Sequence, residues 1–154
     1  MKKWMVLVLS MFALWIMPRL SHPAKDIGKL EPIETVRVIC KEKGYEIETD
    51  SGDKGLGATL ALAIEDLKKN ASSELFLETA DKLLVDGNPD WEELMMHFRP
   101  STCVCICYEN VDLIEAGNYL EIHRPEMTLN RLRAGDEAWE ILILEKGRGM
   151  LVRE

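Results

Sequence analysis

The sequence predicts an α/β (α+β) fold, a mixed β-sheet with helices packed on it, in the order β-β-α-β-α-β-α-β-β. Three observations predict it. Segments of alternating or continuous β-branched character are interleaved with segments whose apolar residues recur at helical spacing. Capping residues stand at the starts of the helical segments. Strands separated by helices need crossover connections, which build a sheet covered by helices.

The elements begin after two segments with other roles. Lys2 and Lys3 precede an apolar run from Trp4 to Met17, broken only by Ser10 and closed by Pro18 and Arg19. Residues 1–24 read as a signal peptide or an N-terminal anchor. Fourteen helical residues reach about 21 Å against roughly 30 Å of hydrocarbon, which favours export over a permanent span. No cysteine stands directly after the run, so a lipoprotein anchor is not expected. Residues 25–33, with Gly28 and Pro32 among charges, read as a linker, and 34–154 as a single α/β domain.

Within that domain, Thr35 to Cys40 and Tyr45 to Thr49 are β-rich runs joined by Lys41 to Gly44, a hairpin signal. Asp50 to Gly57 holds three glycines and reads as a turn. Leu60, Ala63, Ile64, Leu67 and Ala71 then form the apolar side of a helix ending near Asn70. Glu74 to Val85 contains a strand in at least its second half. Asn88 and Pro89 are placed to cap and begin the next helix, whose buried stripe is Trp91, Leu94, Met95 and Phe98 and which Pro100 ends. Thr102 to Tyr108, apolar on both faces, is expected in the middle of the sheet. Asp112, with Glu115 three residues on, opens a helix through about Glu121 that buries Leu113, Ala116 and Leu120. Thr128 caps a short helix to about Arg133. Trp139 to Leu144 and Met150 to Val152 flank Lys146-Gly147-Arg148-Gly149 as a closing hairpin.

Charge narrows the function classes. The 154 residues carry a net charge of -8, and the first 24 hold three cations and no acid, so the rest is at -11. A body this acidic is unsuited to phosphate neutralisation on nucleic acid. It favours basic protein partners, and the membrane is reached only through an uncleaved N-terminal segment. At this length roughly two thirds of the chain's surface can be buried without disulfide staples.

Cys103, Cys105 and Cys107 are the sharpest local feature. Side chains alternate on a strand, so the three thiols share one face while Val104 and Ile106 take the other. Soft thiolates are metal ligands, with Cys40, His97 or His123 as a fourth. Yet the first and third Cα atoms of the row stand about 13 Å apart, too far for one tetrahedral ion to collect them easily. Small core residues are the plain reading of these cysteines. A disulfide is sterically open between Cys40 and one of Cys103, Cys105 or Cys107. Neighbours two apart on a strand, at about 6.7 Å, lie near the geometric limit for a bridge.

Other chemistry is weaker. Gly52-Asp-Lys-Gly55-Leu-Gly57 matches neither the dinucleotide fingerprint nor the phosphate loop, and Asp50 and Asp53 repel anions. The same acids make no calcium loop, because Gly52 and Ala61 fall where ligands are required. No nucleophile-elbow or zinc-protease motif is present. His97 and His123 read as surface or helix-end residues. No catalytic residue and no cofactor is expected.

Several segments together resemble the N-terminal domain of the C subunits of bacterial spore germinant receptors. They are the hairpin before Gly57-Ala-Thr-Leu-Ala-Leu-Ala-Ile-Glu-Asp-Leu67, then Ser73-Glu-Leu-Phe-Leu77 and Lys82-Leu-Leu-Val85, Arg99-Pro100 before a central strand, and the final hairpin around Lys146-Gly147. The likeness covers roughly residues 34 to 153. It implies a membrane-attached, non-enzymatic assembly partner of a membrane receptor. The chain departs from those subunits in lacking a lipid-bearing cysteine and in ending where their second domain begins.

The expected function is therefore an exported or membrane-tethered, non-catalytic domain acting through protein contacts on the outer face of a bacterial membrane. The alternative is a small extracytoplasmic metal-binding or thiol-redox protein centred on Cys103, Cys105 and Cys107.

Overall fold

A seven-stranded mixed sheet forms the middle of the fold, in the order β4-β3-β2-β6-β7-β8-β9. The structure, a computed structural model, describes residues 30–108, 111–136, 138–145 and 148–153. The predicted signal segment and the Lys146-Gly147 turn lie outside the described residues.

The strands are β1 (Leu30–Pro32), β2 (Thr35–Lys41), β3 (Gly44–Thr49), β4 (Lys54–Gly57), β5 (Glu74–Phe76), β6 (Lys82–Asp86), β7 (Cys103–Ile106), β8 (Glu140–Glu145) and β9 (Arg148–Arg153). The helices are α1 (Leu60–Asn70), α2 (Trp91–His97), α3 (Leu113–Ile122) and α4 (Leu129–Arg133), with a 3-10 turn at Leu77–Thr79. β2, β6, β7 and β8 are parallel, and antiparallel partners finish the sheet, β3 and β4 at one end and β9 at the other. β1 and β5 pair in parallel as a separate two-stranded ribbon.

Side-chain alternation sorts the core onto two faces. Val36, Val38, Ile47, Leu83, Val85 and Val104 point to a face covered by Leu60, Ala63, Ile64 and Leu67 of α1, Leu94 of α2 and Leu129 of α4. Leu84, Cys105, Cys107 and Leu142 point to the other, where α3 packs Leu113, Ala116 and Leu120. β2, β6 and β7 each have a strand on both sides and bury residues on both faces, which is why they read as continuous apolar runs. The connection from β7 to β8 crosses one face through α3 and returns to the other through α4.

Capping residues fix the helix starts. Thr59 Oγ1 accepts from the Leu62 N–H, Asp112 Oδ1 from Glu115 and Thr128 Oγ1 from Arg131. The predicted Asn88-Pro89 start of α2 is displaced: the Asp90 carboxylate accepts from Glu92 and Glu93 at 3.0 and 3.2 Å and caps a helix that begins at Trp91. Asp serves this position as well as Asn, and its charge favours the helix N-terminus.

Two further differences concern elements the sequence hid. The stretch 30–33, expected as linker, belongs to the fold: β1 pairs with β5 and Ile33 is fully buried. The glycine stretch expected as a turn contains β4, because its glycines let a strand lie directly against α1. A Cβ on Gly55 would stand 2.2 Å from the Ala63 carbonyl oxygen, and one on Gly57 2.2 Å from the Ala63 nitrogen. Glycine is here a packing requirement, and only Gly52, at φ +88°, serves the turn itself.

Candidate functional site

The row of thiols forms as expected and lies deep. Cys103, Cys105 and Cys107 are all buried on or just beyond β7. Burial first, then the neighbouring Cys107, Glu140 and Cys103, pushes the Cys105 thiol well above its usual range. Burial and the Asp86 carboxylate push Cys107 up to about 12 against the opposing pull of Arg37. Cys40, half-buried at the end of β2, is raised to about 11 by burial and by the same Asp86. A carboxylate beside a thiol opposes thiolate formation, the reverse of what a nucleophilic or metal-binding cysteine needs.

The geometry does not gather these groups. Cys40 shares its side of β2 with Val36 and Val38, which face α1, whereas Cys105 and Cys107 face α3. All four cysteines are free thiols, so the Cys40 bridge drawn from sequence is not formed. His97 ends α2 and borders a groove with Lys68, Glu74 and Glu78; His123 caps α3 with its ring 4.5 Å from that of Tyr119. Cys103 Sγ accepts from Arg124 Nε at 3.0 Å. Among the described residues no three His, Cys, Asp or Glu side chains converge as metal ligands.

Buried charge, which the sequence reading passed over, is the other unusual feature. Arg37 and Lys82 lie on the α3 face of β2 and β6 with side chains only 5% and 4% exposed. Arg37 Nη1 donates to the Val111 carbonyl at 2.6 Å and Nη2 pairs with Glu48, which also takes Lys54 at 2.9 Å. Arg37 Nε is buried without a partner. Lys82 Nζ reaches Glu121 of α3 at 2.6 Å, Asp81 at 3.4 Å and Glu34 at 3.7 Å. Burial lowers the affinity of Lys82 for its proton, but Glu121 and Asp81 together outweigh it and leave the ammonium firmly charged. The signal was present in the sequence: Arg37 interrupts the apolar run of β2 and Lys82 opens that of β6, and an ionisable group in a strand buried on both faces requires a partner.

Lys82 forms part of an open groove of about 360 Å³ between α3 and the start of β2. Pro32, Leu113 and Ile114 supply apolar surface, and Glu34, Asp50 and Glu121 supply carboxylates. Asp50 Oδ2 accepts from the N–H groups of Glu34 and Thr35 and so fixes that rim. Gly117 lets α3 approach closely, since a Cβ there would lie 2.8 Å from Thr35 Oγ1.

Fold and site define an α/β domain with a mixed seven-stranded sheet, a row of buried thiols along its inner strand β7 and an acidic groove beside a surface helix. No protein-family model, no curated protein and no solved structure matches the chain significantly. Among the described residues no helix is long and apolar enough to cross a membrane.

Proposed function

We propose that the chain is an exported or membrane-tethered, non-catalytic domain that acts through protein–protein contacts on the outer face of a bacterial membrane. The spore germinant receptor subunits that its segments resemble act in this way. The observation that carries the reading is α3. Its inner side packs Leu113, Ala116 and Leu120 on the sheet, while Ile114 and Ile122 on its outer surface are 62% and 79% exposed. A helix with large apolar side chains on both sides is suited to covering the sheet and meeting a second surface. Support for delivery outside the cytoplasm comes from the basic-then-apolar order of residues 1–24.

Cell fractionation with N-terminal sequencing tests delivery. The expected result is an extracytoplasmic or membrane-fraction protein that begins near Lys25 or retains Met1 as an anchor. Recovery of the chain from the cytosol with Met1 in place refutes it.

A further inference from the structure

We infer that the groove between α3 and the start of β2 docks a basic segment of the partner protein, a Lys or Arg flanked by apolar residues. The inference rests on the protein-contact reading above and gives that contact a place and a chemistry.

Three features select this occupant. The first is charge: Glu34, Asp50 and Glu121 line the groove against one ammonium, that of Lys82, and Lys82 is already committed to Glu121, Asp81 and Glu34. An anionic ligand therefore meets a negative rim and, among the described residues that line the groove, no uncommitted cation. The side chains of Glu34 and Glu121, at 72% and 69% exposed, keep lone pairs open to an incoming donor.

The second is the apolar wall. Ile114, which α3 turns toward solvent, and Pro32 border the groove with Leu113. The long stem of Lys or Arg lies along such a surface while its charged end reaches the carboxylates. A simple metal ion or a polyanion makes no use of Ile114.

Preorganisation is the third. The buried Lys82 holds Glu121 in place, and the backbone N–H groups of Glu34 and Thr35 hold Asp50, so the rim is set before a partner arrives and less ordering is lost on binding. The net charge of -11 over residues 25–154 adds long-range attraction for the same kind of partner.

The test is titration of the full chain, in a mild non-ionic detergent, with the peptide acetyl-Ile-Lys-Leu-Arg-Ile-amide and its acidic counterpart acetyl-Ile-Glu-Leu-Glu-Ile-amide. The expected result is saturable binding of the basic peptide alone, weakened by added salt. Ile114→Ser should weaken it about tenfold or more while leaving the melting temperature unchanged, and Glu34→Gln, which removes one carboxylate without adding a charge beside the buried Lys82, should weaken it as well. The inference is overturned if the basic peptide does not bind, if the acidic one binds as well, or if both variants bind like the parent. A photo-crosslinking residue at Ile114 or Met150 in cells separates the two proposals. A Lys- or Arg-bearing partner peptide linked at Ile114 supports both. Crosslinks at Met150 alone sink the groove and spare the protein-contact reading, whereas crosslinks at neither sink both.

Discussion

Replacing Gly55 by alanine probes the closest approach in the fold. An added Cβ would meet the Ala63 carbonyl oxygen at 2.2 Å, the Leu67 nitrogen at 2.5 Å and the Leu67 Cβ at 2.7 Å. Two of these three atoms are helix backbone, which cannot rotate away, so β4 or the middle of α1 must shift as a body. Overpacking of this kind costs about 1–3 kcal/mol, with immovable neighbours at the upper end. Alanine also recovers about 0.5–1 kcal/mol through the stiffer unfolded chain, leaving a net loss of about 2 kcal/mol. With a urea slope of about 2 kcal/mol per molar, the midpoint should fall by about 1 M at unchanged slope. Gly52→Ala is the control: its site has open space but φ +88°, which costs about 1 kcal/mol in backbone strain alone. Urea unfolding followed by circular dichroism measures both. If Gly55→Ala proves no more destabilising than Gly52→Ala, direct contact between β4 and α1 is not what glycine provides.

Further outcomes follow from the buried groups. In native protein at about pH 8, Ellman's reagent should modify Cys40 slowly and leave Cys103, Cys105 and Cys107 untouched until denaturant is added, because burial keeps them from the reagent; rapid native labelling of more than one thiol contradicts this. The raised thiols of Cys40, Cys105 and Cys107 stay protonated in the fold while the unfolded chain ionises, so stability should decline as pH rises above about 9 toward 12. At the other end, Lys54 and Arg37 lower the Glu48 carboxyl despite an opposing desolvation cost that is the largest single influence. Its contribution is present above pH 4.5 and lost as pH falls through its depressed folded value, so a Glu48→Gln variant should flatten the acid limb of a stability-against-pH curve. Arg37→Ala should cost about 3 kcal/mol in urea unfolding, since it strips a buried hydrogen bond from Val111 and one partner from Glu48; a loss below 1 kcal/mol counts against a structural role.

Much of this architecture was legible in the order of residues, and what escaped has identifiable physical reasons. The stripes Leu60-Ala63-Ile64-Leu67 and Leu113-Ala116-Leu120 were readable because a half-buried helix leaves a 3.6 period. The α/β class follows from their alternation with strands such as Cys103–Ile106, and a mixed sheet is what forms. β4 escaped because Lys-Gly-Leu-Gly carries no β-propensity; its place is set by room for α1, a tertiary property. β1 escaped because its partner β5 begins at Glu74, 44 residues from Leu30 and beyond any local pattern. The thiol row was legible through simple alternation, whereas the opposite facing of Cys40 depends on its parity with Val36 and Val38 across the sheet. The groove was not legible at all, since Pro32, Asp50, Lys82 and Ile114 meet only through the packing of α3 on β2 and β6.

The strand order also prescribes a direction of growth. β3 folds back on β2 and β4 on β3, all within consecutive residues; then β6 adds beside β2, β7 beside β6, β8 beside β7 and β9 beside β8. Every strand of the main sheet thus docks on an edge already laid down by residues that precede it, and none waits for a later one to be inserted between neighbours. A chain emerging N-terminus first, from a ribosome or across a membrane, can build this sheet by accretion, each new strand adding to an edge that already exists.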